Sequence, residues 1–267
     1  MEFTIKQHLT SFNNTPELKG IIEGVNDFKL TSSIIPADVE TPSIYRLGKK
    51  IEFLFELILK NSIDYKLILS NFQIQEGNLT VGEIDYIIKS NNTESVQHIE
   101  LSYKFYLFDN SLNTDFVGKW IGPNRKDFLH LKKSRLKNHQ LPILKHKSVT
   151  EKLKQLNIRT DKIKPSLLLK AQLFIPHDQL VQLPQNFQKC VVGTWVNLEG
   201  FQNLNWIGEW CVPDKIDWYI DPIFNQNWIT KKKALITIQE KLRSKFSALV
   251  WHKTKEQNFK KIMVVWW

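Results

Sequence analysis

Residues 83–88 and 98–107 alternate apolar and polar side chains with a period of two, and no other part of the chain limits the fold so tightly. In the first run Ile84, Tyr86 and Ile88 line one face, with Glu83 and Asp85 on the other. In the second, Ile99, Leu101, Tyr103, Phe105 and Leu107 oppose His98, Glu100, Ser102, Lys104 and Tyr106. Strict alternation of β-branched and aromatic residues predicts two strands. Residues 89–95, rich in Ser and Asn, predict the turn between them. An antiparallel pair then presents Asp85 and Glu100 to one another, with Lys104 on the face of Glu100. Two carboxylates beside a lysine suit a divalent cation held against a phosphodiester. The same residues also suit a solvated hairpin face, on which Lys104 pairs with Glu83 or Asp85.

The flanking segments extend the pattern. Residues 48–60 place Ile51, Phe53–Leu54 and Leu57–Ile58 at helical spacing, with Glu52 and Glu56 one turn apart. Residues 71–75 predict a short strand before the first alternating run. Downstream, residues 120–124 predict a turn and residues 127–139 a helix, with Pro123 near its start and Asn124 as N-cap. The apolar run 167–175 predicts a strand that stops at Pro176. The order is helix, three strands, helix, strand.

That order, with a glycine-led helix carrying Glu52, then Gly82-Glu83-Ile84-Asp85 and a second strand bearing an acid and a lysine, resembles the core of the PD-(D/E)XK nuclease superfamily. The combination HIELSYKFYLF, WIGPN and HQL is similar to the bacterial domain-of-unknown-function family 1853, usually grouped with that superfamily. The resemblance implies an α/β fold: a restriction-endonuclease-like mixed sheet flanked by helices, with a tryptophan-rich α+β extension at the C-terminal side. It divides the chain into a helical lead-in (1–47), a nuclease-like core (48–176) and the extension (177–267). It also implies Asp85 and Glu100 as ligands of Mg²⁺ or Mn²⁺, Glu52 as the supporting carboxylate, and Lys104 as the lysine that acts with Asp85 and Glu100 in catalysis. The superfamily's lysine usually stands two residues after the glutamate, and here that place holds Ser102. Positions i and i+4 of a strand lie about 13 Å apart, so Lys104 must lean back to reach Glu100.

Charge points the same way. Residues 119–170 hold 15 Lys/Arg against 3 Asp/Glu, a surplus of 12 in a chain whose net charge is +10. Arg125, Lys126, Lys132, Lys133, Arg135 and Lys137 are therefore the expected contacts to nucleic acid, with DNA the expected partner. A charge run of this kind also suits a merely solvated helix face. The expected function is metal-dependent hydrolysis of a nucleic-acid phosphodiester. The alternative is a non-catalytic nucleic-acid-binding protein on a degenerate nuclease fold. A third reading is a scaffold whose tryptophan-rich part binds a protein partner or a saccharide.

Several classes are excluded on composition. Hydrophobic residues make up 42% of the chain, too many for wholesale disorder. The first residues lack a signal-peptide apolar core and no run reaches membrane-spanning length, so a soluble cytoplasmic protein is expected. Cys190 and Cys211 are too few for a disulfide framework or zinc cluster, and no helical His-x-x-x-His, phosphate-binding glycine loop or nucleophile elbow occurs. Eight of the nine tryptophans lie in residues 195–267. There residues 193–196, 206–212, 216–220 and 262–267 predict strands, and residues 228–251 a helix. Tryptophans at strand spacing predict core packing more than a stacking platform.

Overall fold

The computed structural model describes residues 2–30, 33–36, 39–40 and 42–267. The chain runs α1 (Ile5–Asn14), β1 (Asn26–Asp27), α2 (Leu47–Lys60), β2 (Tyr65–Glu76), β3 (Leu79–Ser90), β4 (Val96–Phe108), β5 (Trp120–Ile121), α3 (Leu129–Arg135), α4 (Lys147–Gln155) and β6 (Lys164–Pro176). It continues through α5 (Gln185–Gln188), β7 (Val191–Val196), α6 (Leu198–Asn203), β8 (Glu209–Cys211), α7 (Lys231–Arg243), β9 (Ala248–Lys253) and β10 (Phe259–Val264).

Among the described residues the strands form one mixed sheet, in the order β2-β3-β4-β6-β7-β10-β9-β8, with β1 on β6 and β5 on β4. β4, β6 and β7 run parallel, and β10 lies parallel to β7. The sheet does not break at Pro176, because β7 pairs with the last residues of β6. At Gly193 the β10 backbone comes so close that a Cβ would stand 2.1 Å from Lys261 O, which is why the position has no side chain.

The two faces of β4 are buried differently. Leu101, Tyr103, Phe105 and Leu107 join the cluster under α1 and α2, where Ile51, Leu54, Phe55, Ile58 and Leu59 are at most 3% exposed. Each such side chain stabilises the fold by about 1.5–3 kcal/mol relative to exposure. On the other face Tyr106, Phe108 and Trp120 pack under Leu129 and Leu136. α1 begins with a Thr4–Gln7 capping box, and buried Lys170 of β6 holds its end by donating to Asn13 O (3.2 Å) and Thr15 O (2.9 Å).

Several expected elements differ. The helix predicted over residues 127–139 is short: α3 gives way to a π turn (Leu136–Gln140) and a 3₁₀ turn (Leu141–Lys145). Asn124 does not cap it; its Oδ1 accepts from Ser247 N–H (2.9 Å), and Phe128 occupies the cap position. Residues 216–220 are not a strand but a 3₁₀ turn followed by Trp218, Tyr219 and Ile220, all three buried in succession. The long helix ends at Arg243, and residues 248–251 belong to β9. Residues 206–212 contribute only the three residues of β8.

Candidate functional site

β3 and β4 pair from Lys89↔Val96 to Tyr86↔Ile99 and then part. The parting falls at Asp85 and Glu100. Asp85 Oδ2 accepts the Leu101 N–H (2.8 Å), in place of the backbone acceptor that β3 no longer supplies. Beyond it, among the described residues, β4 has no neighbour on this side until Leu107 and Phe108 pair with β5. An acid thus stands on each strand at the point of divergence, where the alternation expected of β3 fails: Ile84 packs with Ile87, Leu144 and Val149 and not with Tyr86 and Ile88.

Glu100 is fully buried, and both its oxygens are engaged. His98 Nε2, two residues back on the same face, donates to Oε1 (3.0 Å), and Gln140 Nε2 donates to Oε2 (2.6 Å). The other end of the same amide, Gln140 Oε1, accepts from Lys132 Nζ (2.8 Å). Gln140 therefore joins an anion to a cation, each through the matching end of its dipole. At 3.6 residues per turn Gln140 would lie roughly 80° round the helix from Lys132, and the wider π turn takes that angle back.

The electrostatics follow from burial. The Asp85 carboxyl is pushed up to about 7, first by burial and then by the like charge of Glu100, with the Leu101 bond and Lys132 opposing. The Lys132 ammonium is held below the ordinary lysine range by burial, against the pull of Glu100 and Asp85. The next inward position on β4, Ser102, has a buried hydroxyl with no hydrogen-bond partner.

The sequence-predicted residues fall into groups. Asp85, Glu100 and Lys132 come together. Lys104 points to the same side but bonds to Asp127 Oδ2 (2.5 Å), in a cavity of about 320 Å³ beside Gly48, Lys126 and Lys215. Its charge still reaches Lys132 and helps to lower it. Glu52 is carried by α2 on the opposite face and pairs with Lys49 (2.6 Å). Lys49, raised chiefly by that bond, also feels Glu83 and Asp85, so the first turn of α2 borders the acid pair. Lys133 is half-buried, and Arg135 and Lys137 are exposed. Arg125 stands over Trp267 near the far end of β4. His98 and Gln140 were not singled out from sequence. Lys132 was singled out for its charge alone, although it shares the inward stripe of Leu129 and Leu136, an unusual place for a lysine.

An oxygen-ligated cation fits these residues: two carboxylates, of which Asp85 is lifted by burial and then by the charge of Glu100, with an orphaned Ser102 hydroxyl next to them. Among the described residues, no group of three or more His, Cys, Asp or Glu side chains is placed to hold a metal ion, so such a cation would rest on the pair.

Fold and site together define an α/β protein with a large mixed sheet and an acid pair, buried Glu100 and half-buried Asp85, where two of its strands diverge. The chain belongs to the family described as Domain of unknown function (DUF1853), which matches residues 5–265. No curated protein and no solved structure matches the chain. No helix of the described residues is long and apolar enough to cross a membrane.

Proposed function

We propose that this protein is a metal-dependent nuclease of the PD-(D/E)XK type, acting on DNA in the cytoplasm. The observation that carries the reading is the Asp85–Glu100 pair at the parting of β3 and β4, with Lys132 reaching it through Gln140. Asp85 and Glu100 would hold Mg²⁺ or Mn²⁺, which supplies polarisation of the scissile phosphate and a more acidic water. His98 fixes the orientation of Glu100 by its hydrogen bond. Lys132, held in place by Gln140, would present its ammonium charge to the phosphate oxygens. Lys104, Lys126 and Lys215 line the neighbouring cavity and would hold the polyanion on course.

A second reading, a binder without catalysis, is favoured by two observations: both Glu100 oxygens are already engaged, and Glu52 is tied to Lys49. Nicking of supercoiled plasmid with Mg²⁺ or Mn²⁺ separates the two. The nuclease reading expects wild-type cleavage, its loss in Glu100→Gln, and a drop of about 10²–10³ in rate for Lys132→Ala. Lys104→Ala should cost less than Lys132→Ala. A wild type that binds plasmid but nicks it with neither metal supports the binder.

A further inference from the structure

β4, β6 and β7 are parallel neighbours, and their carboxyl ends at Phe108, Pro176 and Val196 open on a cavity of about 470 Å³. Crevices at the carboxyl ends of parallel strands are where open α/β sheets most often take ligands. Its lining is selective. Trp195 and Trp267 form a wall with ring centroids 5.2 Å apart, and the Arg125 guanidinium lies 4.4 Å from the Trp267 ring. Trp195 Nε1 donates to Phe108 O (2.9 Å) and Trp267 Nε1 to Pro123 O (3.0 Å), so neither indole is free to turn. Arg125 is held in a left-handed backbone conformation (φ 56°), an arrangement that costs energy and often marks a site.

Asp109 supplies the second observation. It is only 4% exposed, and its Oδ1 takes the Ser111 N–H and hydroxyl at 3.0 and 2.6 Å. Its Oδ2 has no hydrogen-bond donor; Arg125 Nη2 stands 3.5 Å away. A buried carboxylate oxygen left without a donor costs free energy that a ligand N–H would relieve. The cavity is also poor in positive charge: Asp109 and Asp178 outnumber Arg125, in a chain carrying +10 overall. It is not built for a phosphate.

We infer that this cavity takes a single guanine base from an unpaired nucleic-acid strand. The choice of a nucleobase over a sugar ring rests on the nucleic-acid reading above. Guanine sets an N–H donor beside a carbonyl: the N–H meets Asp109 Oδ2, while the guanidinium of Arg125 meets acceptors such as O6 and N7. The indoles and the guanidinium plane supply the stacking surface. Asp109 lies nine residues along β4 from Glu100, about 30 Å, so the pocket would anchor a strand several nucleotides from the acid pair.

The test uses the full chain and the ¹H–¹⁵N indole signals of Trp195 and Trp267, each assigned by Trp→Phe substitution. Guanosine should shift both, and Asp109→Asn should weaken its binding roughly 5- to 150-fold, the range expected for one specific base-edge pairing. Arg125→Ala, at a partly exposed side chain, gives a second variant should Asp109→Asn not fold. Adenosine, cytidine and methyl glucoside are the comparison ligands. No shift with guanosine, or equal shifts with any of the three, would overturn the assignment. Guanosine binding without plasmid nicking would leave the pocket standing and remove the nuclease reading; nicking without guanosine selectivity would do the reverse.

Discussion

At the scale of single residues, the Asp85 carboxyl sets a measurable pH dependence. Its folded value of about 7 lies above its ordinary 3.8, so the folded state favours the protonated form. The stability this confers is complete below about pH 4 and is lost as pH rises through about 7. Asp85→Asn keeps an oxygen for the Leu101 N–H but has no proton to lose. It should therefore be more stable than wild type at pH 8, by about 1–4 kcal/mol, with the gap closing toward pH 4. Thermal melts at several pH values would show it; parallel profiles for the two proteins would remove the strained pair from the account. Mn²⁺ at pH 7 should raise the melting temperature of wild type and leave that of the variant nearly unchanged. Glu100 was legible because alternation holds along β4, whereas in β3 Ile84 packs apart from Tyr86 and Ile88, so the face expected for Asp85 does not follow from spacing. Lys132 and Gln140 were not legible, because their meeting with Glu100 depends on a π turn that no spacing rule announces.

At the scale of elements, the join between β7 and β10 has no slack. Gly193→Ala would drive a Cβ against the Lys261 carbonyl, with backbone rather than a movable side chain to displace. A loss of about 2–4 kcal/mol in urea unfolding is expected, with the melting of β7 and β10 together. A loss below 0.5 kcal/mol would mean that this seam adapts. α2, β4 and β6 could be read from periodicity, since long regular runs carry their own signal. The end of α7 could not. The chain leaves the helix through Lys245 at φ 53°, with no glycine or proline to mark the turn, so the apolar spacing runs on into β9. Trp218, Tyr219 and Ile220 misled for a related reason: their composition suits a strand, yet a tight turn buries all three.

At the scale of the whole molecule, the surplus charge of residues 119–170 lies partly in the site and partly on the surface around it. Lys132 is committed to Gln140, whereas Arg135 and Lys137 are exposed and Lys133 is half-buried. Replacing Lys126, Lys133, Arg135 and Lys137 with Gln should flatten the log–log salt dependence of DNA binding by up to about 0.9 per lost phosphate contact. Fluorescence anisotropy across a salt series measures this, and an unchanged slope would show that the basic face does not touch DNA. The sheet order has a consequence for synthesis. β10, residues 259–264, lies between β7 and β9, which both leave the ribosome earlier. Until β10 emerges, β7 and β9 expose adhesive edges with nothing between them, a state prone to pairing with other nascent chains. β8 and β9 can join β7 only through β10, so a released chain truncated shortly before residue 259 should be cut freely by a protease beyond β7.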